Sequence, residues 1–129
     1  MAALHGLVMR PEAEPALAAW ARVASPDTRI AFPEIALGLC SGGGASLRLP
    51  ARTGPVAALQ ILLSGRAVAA DTALALGLVD QIADAPLLDA ALALARTLGP
   101  ALTPRVETPA QHLAAVVAAL RADPPARAA

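Results

Sequence analysis

Glu34 is a carboxylate that directly follows a proline inside a mostly apolar run, Arg29–Leu39. An acid in apolar surroundings holds a proton more readily than a solvated one, so this residue in this position suits general acid/base catalysis. The alternative interpretation is a structural acid on the surface that forms a salt bridge with Arg29 or Arg48. Taken alone, the local sequence favours the structural interpretation.

Three consecutive glycines, Gly42–Gly44, precede a predicted helix and are the second candidate for chemistry. Backbone N–H groups at a helix start can cradle a phosphate, but the lysine of a phosphate-binding loop is missing and no dinucleotide-binding glycine spacing fits. The glycines therefore indicate a tight turn first and an anion site second. His5 and His112 lack neighbouring ligands, so no metal site is predicted, and no serine has a convincing base to activate it.

The elements that must position these residues alternate between short strands and helices. Runs of Val, Ile and Ala bounded by Gly, Pro and Asp predict the strands, and apolar residues at helical spacing predict the helices. The predicted strands are Ala2–Val8, Ala21–Ser25, Thr28–Phe32 and Leu78–Ile82, and the predicted helices are Glu12–Trp20, one that starts at Ala45, Pro55–Leu63, a capped helix that ends at Leu76, Pro86–Leu98 and Gln111–Arg121. Residues 101–110 have the prolines of a linker. The sequence thus predicts an α/β fold.

The bulk composition bounds the class of protein. The 129 residues suffice for one small domain, and ten basic residues balance ten acidic ones, so no net charge attracts nucleic acid or an anionic membrane. Hydrophobic residues make up 57% of the chain, yet no charge-free stretch reaches the roughly 20 residues of a membrane span. We expect no signal peptide and, with a single cysteine, a cytoplasmic location. A small chain this rich in apolar residues leaves hydrophobic surface uncovered, which predicts self-association or a partner.

Three segments taken together resemble a known family. They are IAFPEIALGL, SGGGASLRLP and LLSGRAVAADTALALGLVDQI, in that order. Their order and spacing resemble the second half of the enoyl-CoA hydratase/isomerase (crotonase) family over about residues 2–98. The resemblance implies a partial crotonase-type β-β-α spiral with a helical C-terminal section: residues 1–100 are the C-terminal half of the core, and residues 101–129 are a linker, one helix and a frayed tail. It also implies that the family's N-terminal strands would precede Met1 and that most of its C-terminal helical region is missing.

The resemblance assigns catalytic roles to two acids. In hydratases of this family the acid of the Pro-Glu motif exchanges a proton at the α-carbon of an acyl thioester, and Glu34 occupies that position. Alignment of the upstream segment places Glu14 at the second catalytic glutamate, which helps to activate water. We therefore expect both side chains to face one thioester-sized hollow that the glycine turn helps to wall.

The family's substrate-binding positions fall on Pro33, Gly42 and Pro11. Pro11 coincides with the glycine whose N–H stabilises the thioester oxyanion, and proline has no N–H to give. Arg10 replaces another family glycine, and Ser41 stands where the family has proline.

These departures leave two functions open. One is an enzyme that hydrates or isomerises 2-enoyl-CoA in fatty-acid oxidation, and the other is a non-catalytic remnant that only associates with intact homologues. The resemblance implies an acyl-CoA substrate, a homo-oligomer or association with homologues, and coenzyme A only as part of the substrate, with no other cofactor. The composition and the isolated histidines predict no nucleic-acid partner, membrane or metal.

Overall fold

The computed structural model describes residues 1–98, and the predicted α/β architecture is confirmed there. The predicted linker 101–110, the helix Gln111–Arg121 and the tail lie outside the described residues. The strands are β1 Ala2–Leu4, β2 Leu7–Val8, β3 Arg22–Ala24, β4 Arg29–Ile30, β5 Val68–Ala69 and β6 Gln81–Ile82. The helices are α1 Arg10–Ala18, α2 Ala45–Thr53, α3 Pro55–Ser64, α4 Ala70–Ala75 and α5 Leu87–Leu98, with a 3-10 helix at Pro33–Leu37.

The short strands form two three-stranded sheets. In the first sheet β1, β3 and β6 are parallel in the order β1-β3-β6, with Val23 paired to both Ala3 and Gln81. In the second sheet β2 is parallel to β4, and β5 is antiparallel to β4. Parallel neighbours cannot be joined by a two-residue hairpin, so α1 lies between β1 and β3 in the chain.

The predicted strand Ala2–Val8 is wrong in one respect, because it is two strands in different sheets. Gly6 lies between β1 and β2 with a φ of 59°, in the left-handed region that glycine adopts without steric penalty. This bend takes the chain from the first sheet to the second, where β2 pairs with β4. The predicted strand Leu78–Ile82 is likewise shorter, since only its last two residues pair, as β6.

Proline sets the start of two helices. Pro11 and Pro55 lie in the first turns of α1 and α3, where a missing N–H removes no helical hydrogen bond. As a result α1 begins and ends earlier than the predicted Glu12–Trp20, and it contains Pro15 in its interior. The helix predicted to end at Leu76 is confirmed as α4, since Leu76 is its C-cap and Gly77, with a φ of 75°, follows it, although no side chain caps its start at Ala69.

The buried core has two parts. The larger part packs α1, α2, α3 and α4 around Phe32 and Leu49, which are fully buried. The smaller part contains Val23, Ala90 and Ala91, where α5 packs on β1 and β3. Small alanine side chains at this contact let α5 lie close to the first sheet. Within residues 1–98, no helix combines the length and the apolar character of a membrane span, and no group of three or more His, Cys, Asp or Glu is arranged to hold a metal ion.

An ion pair between a buried arginine and an exposed aspartate joins β3 to the start of β6. Arg22 is 1% exposed, its backbone N–H donates to Asp80 Oδ2 at 2.8 Å, and its guanidinium donates to the same oxygen. The guanidinium also donates to the carbonyl of Ala19 at 2.7 Å. Burial and then the nearby charge of Arg52 lower the pKa of Arg22, and Asp80 opposes that change. Asp80 therefore accepts hydrogen bonds from both the backbone and the side chain of the first residue of β3.

Candidate functional site

The 3-10 helix turns Glu34 into the protein. Pro33, whose ring fixes φ, opens this helix shortly after β4 ends. Glu34 is only 4% exposed, whereas Ile35 and Leu37 are 39% and 77% exposed. The acid is therefore buried while two apolar neighbours are exposed, although acids are usually exposed and large apolar residues are usually buried.

Arg10, at the start of α1, is the charged partner of Glu34. Its Nε lies 3.4 Å from Glu34 Oε1, and the Arg10 side chain is half exposed. The contact is a charge pair without hydrogen-bond geometry, because neither oxygen of Glu34 has a hydrogen-bond partner in the described chain. The surface salt bridge with Arg29 or Arg48 does not form: Arg48 instead donates to the carbonyl of Gly43 at 2.9 Å.

Glu34 lines a cavity of about 250 Å³ between the 3-10 helix, α2 and α3. The apolar part of its wall includes Phe32, Leu39, Pro50, Leu59, Leu62 and Leu63. Glu34 is the acidic residue in this wall, and both of its carboxylate oxygens are buried without a hydrogen bond from the described residues. Ligand pockets commonly combine mostly apolar walls with a few polar groups at the reacting end of the ligand. The arrangement suits an apolar chain whose reacting atoms meet one acid.

Two serines and a cysteine also reach this cavity. Ser41 is 9% exposed, and its Oγ has no hydrogen-bond partner in the described part of the chain. Ser46, in the first turn of α2, and Cys40, a free thiol, are both exposed. Water can reach Ser46 and Cys40, so Ser41 is the second buried polar group of the cavity.

Glu14 lies against the glycine turn and does not line the cavity. Its carboxylate packs on Gly43, because a Cβ added to that glycine would lie 1.5 Å from Glu14 Oε2. Its Oε1 is buried without a hydrogen-bond partner in residues 1–98. Arg10 approaches Gly42 nearby, with Nη2 3.7 Å from an added Cβ. We name Arg10, Glu14, Gly42 and Gly43 the polar edge, and Arg10 links it to Glu34.

Gly43→Ala is expected to displace the carboxylate of Glu14 and to lower the free energy of unfolding by about 1–3 kcal/mol, the range for overpacking. The φ of Gly43 is not left-handed, so the backbone itself accepts alanine. In a Glu14→Ala background the same change is expected to cost much less, because only the Cβ of residue 14, at 3.3 Å, then remains near the added methyl group. Urea unfolding of the single and double variants measures the difference.

The matched control is Gly42→Ala, whose added Cβ meets Arg10 only at ordinary contact distance, 3.7 Å. Its free energy of unfolding is expected to stay within about 0.5 kcal/mol of the wild type. An equal loss from Gly43→Ala in both backgrounds would contradict the packing of Glu14 on Gly43.

The three residues predicted to bind substrate do not line the cavity. Pro33 opens the 3-10 helix, Gly42 is exposed on the polar edge, and Pro11 is exposed in the first turn of α1. Pro11 has no N–H, and the N–H of Glu12 already donates to the carbonyl of Met9 at 3.0 Å. The binding roles of Pro33, Gly42 and Pro11, like the catalytic roles of Glu34 and Glu14, stay predictions.

Comparison with known proteins identifies the family. A sequence model of the family described as enoyl-CoA hydratase/isomerase matches residues 1–126. The chain belongs to the enoyl-CoA hydratase/isomerase family. The resemblance carried by the three segments is thereby confirmed.

Solved structures agree with this membership of the enoyl-CoA hydratase/isomerase family. DspI of Pseudomonas aeruginosa is 37% identical, with a TM-score of 0.68 over 72% of this chain and 36% of that chain. An enoyl-CoA hydratase from Bacillus anthracis is 27% identical, with a TM-score of 0.67 over 72% of this chain and 36% of that chain. EchA1_1 from Mycobacterium paratuberculosis is 29% identical, with a TM-score of 0.67 over 91% of this chain and 42% of that chain. The chain thus spans only 36% to 42% of these structures.

In this member of the enoyl-CoA hydratase/isomerase family, sequence reasoning missed the partner of Glu34 and the far wall of the cavity. Arg10 enters the sequence analysis only as a departure from a glycine pattern. The far wall comes from α3 through Leu59, Leu62 and Leu63. Those three leucines have the i, i+3, i+4 spacing of one helix face, which is a signal in the sequence for a shared apolar surface.

Proposed function

We propose that this chain binds an acyl-CoA thioester in the cavity and that Glu34 exchanges a proton at the α-carbon of the acyl group. The supporting observation is an acid that is 4% exposed, has no hydrogen bond to either oxygen in the described chain, and belongs to the lining of a largely apolar cavity. A buried acid without a hydrogen-bond donor is unusual in a purely structural role, because here only the charge of the half-exposed Arg10 offsets its desolvation. Family membership makes the acyl-CoA thioester the substrate class to test first.

Glu34 can serve either of two reactions through the same proton exchange. In hydration, water adds its hydroxyl group at the β-carbon of a 2-enoyl thioester, protonated Glu34 delivers a proton to the α-carbon, and the remaining proton of that water restores Glu34. In double-bond isomerisation, Glu34 removes a proton from the α-carbon and returns it to the γ-carbon. Arg10, with Nε 3.4 Å from Glu34, balances the charge of the carboxylate between these steps.

The proposal also covers the second acid, coenzyme A and the location of the protein. Glu14, on the polar edge, is proposed to help activate the water in hydration. Coenzyme A enters only as the thioester part of the substrate, without a separate cofactor. The reaction is of the fatty-acid oxidation type, and the exposed thiol of Cys40 suits the reducing cytoplasm that we propose as its location.

The test is hydration of but-2-enoyl-CoA by the purified full chain, followed by the loss of enoyl thioester absorbance. We expect turnover above the protein-free rate. We also expect it to be about 100- to 1,000-fold slower than in an enzyme with a complete oxyanion hole, because Pro11 supplies no N–H and one such donor typically contributes that factor. A rate equal to the protein-free rate, with a protein that is folded by circular dichroism, would contradict the proposed activity.

A second candidate function is association with intact homologues without catalysis. Two observations favour it: Pro11 lacks the N–H of the oxyanion position, and large apolar side chains are exposed. The most exposed of these are Leu7, Leu37, Leu63 and Leu88. Light scattering after size-exclusion chromatography, with the chain alone and mixed with an intact family member, tests it. A co-eluting complex without any turnover by the chain would favour this candidate over the first.

A further inference from the structure

Ser41 is a buried hydroxyl that the protein leaves without a hydrogen bond. It is 9% exposed, and its Oγ has no partner among residues 1–98. Among the described residues the other buried hydroxyl, that of Thr28, donates to the carbonyl of Leu4 at 2.9 Å. An unsatisfied buried polar group destabilises the fold, so its presence in a native protein calls for an explanation such as a bound ligand.

The position of Ser41 in the cavity wall indicates a role for its hydroxyl group in ligand binding. Ser41 and Glu34 line the same cavity, whose remaining wall is largely apolar. A carboxylate accepts hydrogen bonds only, whereas a hydroxyl can also donate one. The two buried groups therefore differ in what they offer a ligand: Glu34 can take up a proton, and Ser41 can donate a hydrogen bond to an acceptor oxygen.

We infer that Ser41 donates a hydrogen bond to the carbonyl oxygen of the thioester bound in this cavity, a step that rests on the proposed function. Removal of a proton from the α-carbon places negative charge on that oxygen, and a hydrogen bond to it strengthens as the charge develops. Pro11 cannot supply such a bond, because it has no N–H. Ser41 is thus a catalytic residue that contacts the substrate at the oxygen, while Glu34 acts at the carbon.

Binding of two matched ligands tests this inference without any need for turnover. Butyryl-CoA carries the thioester carbonyl, and S-butyl-CoA is the thioether in which a methylene replaces that carbonyl. Calorimetry with the full chain is expected to show that Ser41→Ala weakens butyryl-CoA binding by about five- to tenfold, the usual effect of one lost hydrogen bond, and leaves S-butyl-CoA binding unchanged. The matched control is Ser64→Ala, since Ser64 lies outside this cavity and its hydroxyl already donates to the carbonyl of Ile61 at 3.3 Å.

The stability of the ligand-free protein separates a ligand-binding role from a structural one. Ser41→Ala removes an unsatisfied buried hydroxyl, so its thermal midpoint is expected to equal or exceed that of the wild type. A lowered midpoint, an equal loss of affinity for both ligands, no loss for either, or no binding of butyryl-CoA by the wild type would overturn the inference. If Glu34→Gln leaves hydration unchanged while Ser41→Ala still discriminates between the two ligands, the proposed function fails and the role of Ser41 stands.

Discussion

Glu34→Gln is expected to lower the rate of but-2-enoyl-CoA hydration by about 100- to 10,000-fold, the usual contribution of a positioned acid or base. Glutamine keeps the length and shape of the side chain but can neither release nor take up the proton. Because the apolar wall of the cavity is unchanged, the affinity for butyryl-CoA is expected to stay within a few-fold of the wild type. The measurements are the turnover number for hydration and a calorimetric dissociation constant.

Glu12→Gln is the matched control for this variant. Glu12 is an exposed acid in the first turn of α1, and it lies outside the cavity. The control changes the net charge by the same amount, so it corrects for any general electrostatic effect on the anionic substrate. Equal hydration rates for Glu34→Gln and the wild type would remove Glu34 from the mechanism.

Asp80→Ala is expected to have the largest effect on stability, a loss of about 3–5 kcal/mol in the free energy of unfolding. The variant leaves the guanidinium of Arg22, 1% exposed, without its counter-charge, and it removes the acceptor of the Arg22 backbone N–H. An uncompensated buried charge accounts for most of this loss, and small domains are stable by only about 5–15 kcal/mol. Urea unfolding of the full chain measures it.

Two further variants make the Asp80 prediction specific. Asp84→Ala changes an exposed aspartate in the loop after β6 and is expected to stay within about 0.5 kcal/mol of the wild type. Combining Arg22→Met with Asp80→Ala is expected to recover part of the loss, because an apolar side chain needs no counter-charge in that place. A loss below about 1 kcal/mol for Asp80→Ala would show that Arg22 finds its partners elsewhere.

Local sequence patterns predicted most of the elements correctly. The helices α2, α3 and α5 and the strands β3 and β4 form where apolar spacing and breaking residues place them. The errors arise where a single residue turns the backbone or where a strand has only two residues. The left-handed Gly6 divides one predicted strand between two sheets, and the two-residue strand β5 is too short for its pattern to distinguish it from a loop.

The site was predicted only in part, because its contacts join distant positions in the sequence. The Pro-Glu motif identified Glu34, and its burial agrees with the acid/base hypothesis. The charge pair of Glu34 with Arg10 and the bond of Arg22 to Asp80, 58 positions apart, depend on how helices and strands pack. Leu37 is exposed because it lies in the 3-10 helix, and no periodic spacing of apolar residues in the sequence predicts that helix.

Deuterium incorporation at the α-carbon of butyryl-CoA, followed by nuclear magnetic resonance in deuterium oxide, tests the central claim most directly. The substrate has no double bond, so the signal reports proton exchange alone, without addition of water. We predict that the full chain incorporates deuterium faster than buffer and that Glu34→Gln reduces the rate to that of buffer. Exchange at the same rate in the wild type and in Glu34→Gln, or none in a wild-type chain that binds butyryl-CoA, would contradict the account.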